Sequence, residues 1–183
     1  MNVKKVVIKD GVTGIDPNIF AKCQNIEQIE FSDSITKMPD RTFIGHRGLK
    51  MVRLSGNIKL ITLSAFNGCQ SLEKVELESG TIKILDFAFE YCNSLKRIEL
   101  PETIEKIGGC AFRGSGLEEI ILHKNIKEIS QGAFKDCSDL KRIILPETIE
   151  KIGGHAFEGC TNLIGISLPK SIKNLVLVLL GTV

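Results

Sequence analysis

The stretch Leu140–Asn162, LKRIILPETIEKIGGHAFEGCTN, decides how the whole chain reads. Its Ile143 and Leu145 alternate with Arg142 and Ile144, the period of a strand with one buried face. Pro146 ends that strand, because proline lacks an N–H and fixes the backbone. Ile149 and Ile152 follow as extended chain or a second short strand turned inward along the flank. Gly153-Gly154 then allows a sharp bend. The segment His155–Cys160 is too short for a stable helix and predicts one helical or 3₁₀ turn.

The same pattern recurs along the chain. Phenylalanine falls at Phe20, Phe43, Phe66, Phe89, Phe112, Phe134 and Phe157, at intervals of 23, 23, 23, 23, 22 and 23 residues. Each unit opens on an aliphatic residue, which sets repeats at 3–25, 26–48, 49–71, 72–94, 95–116, 117–139 and 140–162, with a partial unit at 163–183. One unit cannot bury its own apolar edge, whereas stacked units bury it against each other. The expectation is therefore a single domain, 1–183, folded as an α/β repeat solenoid. The columns of Leu140, Ile143 and Leu145 would line a parallel sheet of strands ~4.8 Å apart, roughly 40 Å long over the whole stack. The Phe column, usually preceded by Ala, would fill an opposite wall of helical or 3₁₀ turns. The second position alternates Lys4, Glu27, Lys50, Glu73, Lys96, Glu118, Lys141, which sets opposite charges side by side on neighbouring strands.

Composition narrows the function classes. Hydrophobic residues make up 43% and charged residues 25%, which is globular rather than disordered usage. A net charge of +2, no Trp and a single Tyr, Tyr91, argue against a nucleic-acid partner. The N-terminal MNVKKVVIKDG has no apolar run of the secretory kind, so the sequence alone leans towards the cytoplasm. The longest apolar run, Leu175–Leu180, is too short for membrane insertion.

With L-x-x-I-x-L-P-x-x-I-x-x-I-x-x-x-A-F-x-x-C at 23-residue spacing from Val3 to Leu168, the chain resembles the BspA-like class of leucine-rich repeats. The resemblance implies a right-handed solenoid with a continuous parallel sheet on its concave face. It also implies a role in adhesion or protein binding, often at the surface of host-associated microbes. The eighth unit departs from the pattern, with NLVLVLLGTV in place of the turn.

Candidate chemistry is sparse. Cys23, Cys69, Cys92, Cys137 and Cys160 each stand three residues after a Phe. Stacking sets them in a column with parallel Cβ atoms about a strand spacing apart, slightly beyond disulfide reach, so free buried thiols are expected. His46 takes the Cys position between Cys23 and Cys69. A straight column cannot easily wrap a metal tetrahedrally, so His46 reads as a turn residue with its tip in water and no metal is expected. Cys110 and His155 share a column but stand two repeats apart, ~10 Å by strand spacing, too far for a catalytic pair. Gly108-Gly109 and Gly153-Gly154 occupy the repeat's bend rather than a phosphate loop. No enzyme activity and no cofactor follow from the sequence.

The exposed columns of the sheet are more informative. The third position includes Met51, Lys74, Arg97 and Arg142, a mildly basic line, and the fifth includes Arg53. That fifth column runs Val7, Glu30, Arg53, Glu76, Glu99 and then changes to Ile121 and Ile144, which with Ile164 nearby leave an aliphatic patch suited to a protein partner. The tail residues Leu175, Leu177, Leu179 and Leu180 either fold over the last repeat as a cap or dock on another copy to make a homo-oligomer. Two functions are thus open: a protein-binding module, or a structural protein that self-associates through uncapped ends.

Overall fold

A computed structural model describes residues 3–16 and 18–175. The first extended segment of each repeat supplies β1 (Lys5–Val7), β2 (Gln28–Glu30), β3 (Met51–Leu54), β5 (Lys74–Leu77), β8 (Glu119–Ile121) and β10 (Arg142–Ile144). The second supplies β4 (Leu60–Ile61), β6 (Lys83–Ile84), β7 (Lys106–Ile107), β9 (Glu128–Ile129), β11 (Lys151–Ile152) and β12 (Asn174–Leu175). All pairings are parallel, and register partners stand one repeat apart, as in Val52↔Val75 and Ile152↔Ile129. The expected second short strand at Ile152 is therefore present and belongs to a six-stranded sheet, β12-β11-β9-β7-β6-β4. The molecule is a parallel β-solenoid.

Two expectations need correction. The first sheet is not continuous: it forms as β1-β2-β3-β5 and, separately, β10-β8, and Lys96–Leu100 of repeat five joins neither. The wall that carries the Phe column is not helical, and no helix occurs among the described residues. The reason lies in two backbone positions of each turn. Two residues before the Phe, Arg41, Ser64, Phe87, Cys110, Gly132 and His155 have φ between 50° and 62°. Two residues after it, Gly45, Gly68, Tyr91, Gly114, Asp136 and Gly159 have φ between 57° and 76°. Left-handed residues so placed cannot continue a right-handed helix. They instead turn the Phe amide sideways, towards the neighbouring repeat. Phe43 donates to Ala65 O (2.9 Å), Phe89 to Ala111 O (2.7 Å) and Phe134 to Ala156 O (3.0 Å). The wall is thus a ladder of turns.

The paired glycines serve packing more than bending. In repeat seven the left-handed residue is His155, one place after the pair. Gly153 is needed because a Cβ there would lie 2.6 Å from Gln131 N of the preceding repeat.

Side chains fill the space between the walls in columns. The Phe rings stack with centroids 5.0–5.8 Å apart and interplanar angles of 22° or less. Ile61, Ile84, Ile107 and Ile129 form a second column and Leu49, Leu72, Leu95, Leu117 and Leu140 a third, all fully buried. Burial of each Phe contributes roughly 1.5–3 kcal/mol before any stacking term. Phe112 is wholly buried between Phe89 and Phe134, and removal of its ring leaves a void that neither neighbour can close. Phe112→Ala is expected to cost ~3–5 kcal/mol. A melt followed by circular dichroism should show a lowered, broadened transition; an unchanged midpoint would refute the column assignment.

Candidate functional site

The Cys column is structural. Cys69, Cys92, Cys137 and Cys160 are buried free thiols. Each donates to the Phe carbonyl of the preceding repeat: Cys69 to Phe43 O (3.1 Å), Cys92 to Phe66 O (3.2 Å), Cys137 to Phe112 O (3.0 Å) and Cys160 to Phe134 O (3.1 Å). Burial disfavours the thiolate and pushes Cys69 and Cys160 up to about 12 and Cys137 to about 11. Cys92 rises for the same reason. Such thiols are poor nucleophiles and poor ligands.

His46 is placed differently from its expected position in water. It is only 2% exposed, and its Nε2 lies 2.9 Å from Phe20 O, so that it donates the bond a Cys makes elsewhere. Its Nδ1 is buried without a partner. Among the described residues, no group of three or more His, Cys, Asp or Glu side chains is arranged to hold a metal ion.

The exposed face of the first sheet carries the sequence-derived candidates. Register places Ile121 directly beside Ile144 on β8 and β10. Ile121 is 46% exposed and Ile144 partly buried, while Ile164 is 94% exposed but outside the ladder. Met51 and Arg53 lie on β3, and Lys74 is the register partner of Met51 on β5. Most of the cations are neutralised locally. Arg53 pairs with Glu78 at 2.9 Å, Lys74 with Glu76 at 2.5 Å and Arg142 with Glu119 at 3.2 Å. Arg97 makes no ion pair among the described residues. The basic line is therefore a mostly balanced surface, with Arg97 as its exception.

Arg53, Lys74, Glu76, Arg97 and Glu99 line one open furrow of about 580 Å³. Arg97 and Glu99 also border the next, about 400 Å³, whose floor includes Ile98, Leu100 and Ile120 and whose rim carries Ile121 and His123. His123 and Glu99 were not singled out from the sequence. His123 stands at the seventh repeat position, where it is half-buried, and its repeat position was the available signal. Leu175 pairs with Ile152 at the end of the second sheet, while Leu177, Leu179 and Leu180 lie outside the described residues.

The alternating charges form two exposed triplets. Glu27 sits between Lys4 (2.7 Å) and Lys50 (2.9 Å), and Glu118 between Lys96 (3.9 Å) and Lys141 (2.9 Å).

Residues 1–108 and 59–176 match the model of the BspA type leucine rich repeat region, in 6 copies. The chain belongs to that family. It is similar to a leucine-rich repeat protein from Bacteroides ovatus, with 27% identity, a TM-score of 0.75, and coverage of 93% of this chain and 41% of that one. The chain thus spans about two fifths of that relative. A leucine-rich repeat protein of T. pallidum is 27% identical, with a TM-score of 0.57 and coverage of 75% of this chain and 78% of that one. No curated protein sequence matches the chain.

Hydrogen bonds from Lys4 and then Lys50 hold the Glu27 carboxyl down from an ordinary 4.5 to about 2. A depressed carboxylate contributes stability above its unfolded value and loses it as pH falls through the folded one. Because the group is exposed, the contribution is small and screened by salt. In urea titrations the gap between parent and Glu27→Gln should be present at neutral pH and close between about 4.5 and 2. A gap that persists below that window would contradict the pairing.

Proposed function

We propose that this chain is a non-enzymatic protein-binding module that contacts another protein through the exposed face of its first sheet. The observation that carries the reading is the Ile121–Ile144 pair. Two aliphatic side chains stand side by side where repeats two to five carry Glu30, Arg53, Glu76 and Glu99; the first repeat's Val7 is also aliphatic but has Glu30 as its register partner. Local pairing of Arg53, Lys74 and Arg142 makes the surround polar but nearly neutral, the usual setting of an apolar contact patch. Met51 and Arg97 extend the same face. The buried, deprotonation-resistant thiols of the Cys column support a binding role over thiol catalysis. Adhesion at the cell surface, the setting the family resemblance implies, is the context in which we place it.

The Ile121→Lys/Ile144→Lys double variant should lose capture of the partner in a pull-down from host-cell extract while its melting midpoint stays with the parent. Retained capture would dismiss the patch.

A second reading is favoured by one observation, that β12 continues the second sheet into the apolar tail. Self-association through that end predicts a mass that rises with concentration in sedimentation. Truncation after Asn174 should abolish the rise; a concentration-independent mass in the parent would exclude it.

A further inference from the structure

We propose that the junction between repeats four and five is a hinge, about which the first sheet opens while the other two walls stay closed. Three observations converge there. The facing segments β5 (Lys74–Leu77) and Lys96–Leu100 share no backbone hydrogen bond, whereas β3 and β5 pair over four residues. The periodic bond from the Cys column to the preceding Phe carbonyl is also missing at this junction. Ser115 holds the Cys position of repeat five, and its Oγ lies 3.4 Å from Cys137 Sγ instead of reaching Phe89 O. Finally, repeat five is one residue short, 22 against 23, and the deletion falls in the turn Gly114-Ser115-Gly116. Gly116 there passes so close to Asn93 that a Cβ would lie 1.9 Å from its carbonyl oxygen.

The remaining walls clamp the same junction. β6 pairs with β7 through Lys83↔Lys106 and Ile84↔Ile107. The Phe89 and Phe112 rings stack at 5.3 Å, and Phe89 N donates to Ala111 O at 2.7 Å. Arg113 lies 5.7 Å over the Tyr91 ring. Among the described residues, Lys96–Leu100 is held on its C-terminal side only at Lys96, by Glu118 N to Lys96 O (3.0 Å) and by the Lys96–Asp139 bridge (2.6 Å). Repeats four and five are therefore joined by ladders on two walls and unbonded on the third, with Arg97–Leu100 lying loose at the seam. Bonded contiguous units move as blocks, and the unbonded seam between them is the low-stability element. Opening would widen the furrow bordered by Lys74 and Glu76 on one side and by Arg97 and Glu99 on the other. If the binding reading holds, the hinge angle sets how Arg53 and Lys74 are presented relative to Ile121 and Ile144. The hinge itself does not depend on that reading.

Residue-resolved hydrogen exchange and relaxation dispersion on the intact chain, without any partner, test it. The amides of Arg97–Leu100 should exchange about tenfold or more faster than those of β3 and β5. Dispersion should be confined to Glu73–Leu77 and Lys96–Leu100. Replacing Gly114-Ser115-Gly116 by the repeat-seven turn Gly-Cys-Thr-Asn should restore protection and quench the dispersion, and Ser115→Cys alone should do so in part. Protection of Arg97–Leu100 equal to that of β3, or flat dispersion in the parent, would overturn the hinge. If the turn replacement fails to fold, the parent profile and Ser115→Cys decide. Because no partner enters, failure to bind at Ile121 and Ile144 leaves the result intact.

Discussion

The structure depends on one recurrent bond, the Phe amide of each turn donated to the Ala carbonyl of the next. Once that amide points along the stack, it cannot serve a helix within its own repeat. The two left-handed residues around each Phe from Phe43 onwards enforce the direction, at some conformational cost where they are not glycine. Tyr91 and Phe87 carry that cost in the same repeat, and both are partly exposed. The gain is that every wall of the solenoid can bond between repeats, so each Phe ring lands on the ring of its neighbour. The thiols reinforce the same direction. They satisfy the Phe carbonyls, which would otherwise be buried acceptors with fewer partners.

The outer surface follows a different rule. Cations and anions alternate between adjacent strands, so Lys4, Glu27 and Lys50 neutralise one another across the sheet rather than projecting a field. Exposed pairs of this kind contribute little to stability. Their larger effect is on what remains: Arg97, Glu99, Ile121 and Ile144 stand out because the rest of the face is internally satisfied. The seam at Lys96–Leu100 coincides with this least compensated part of the face. A sheet that is both unpaired in charge and unbonded in backbone at one repeat is best suited to adapt there.

Much of this was readable before any coordinates. The period of the Phe residues gave the stack, and the Ile149/Ile152 spacing gave the second strand. The charge alternation gave the ion pairs of Glu27 and Glu118. The register that sets Ile121 beside Ile144 also follows from counting repeat positions. The turn wall was misread because a six-residue segment is too short for a stable helix, and a single helical or 3₁₀ turn is the nearest local alternative. The contrary signal, a glycine two residues after Phe43, Phe66, Phe112 and Phe157, was present but masked by Tyr91 and Asp136 at the same position. His46 was misplaced for a related reason. A polar residue among cysteines suggests an exposed tip, yet its ring fills the thiol's volume and makes the thiol's bond.

The sequence by itself determined the repeat, its length, the columns of the core and the order of charges on the face. Those properties are periodic, and periodicity survives any error about local geometry. Only the tertiary structure decided the path of each turn and the break in the first sheet. Both depend on hydrogen bonds between residues 21 to 24 apart, whose geometry no single repeat can specify. The one-residue deletion near Ser115 was visible in the count of positions. Its consequence, a sheet divided at Lys96–Leu100, emerged only when neighbouring repeats were brought to bonding distance.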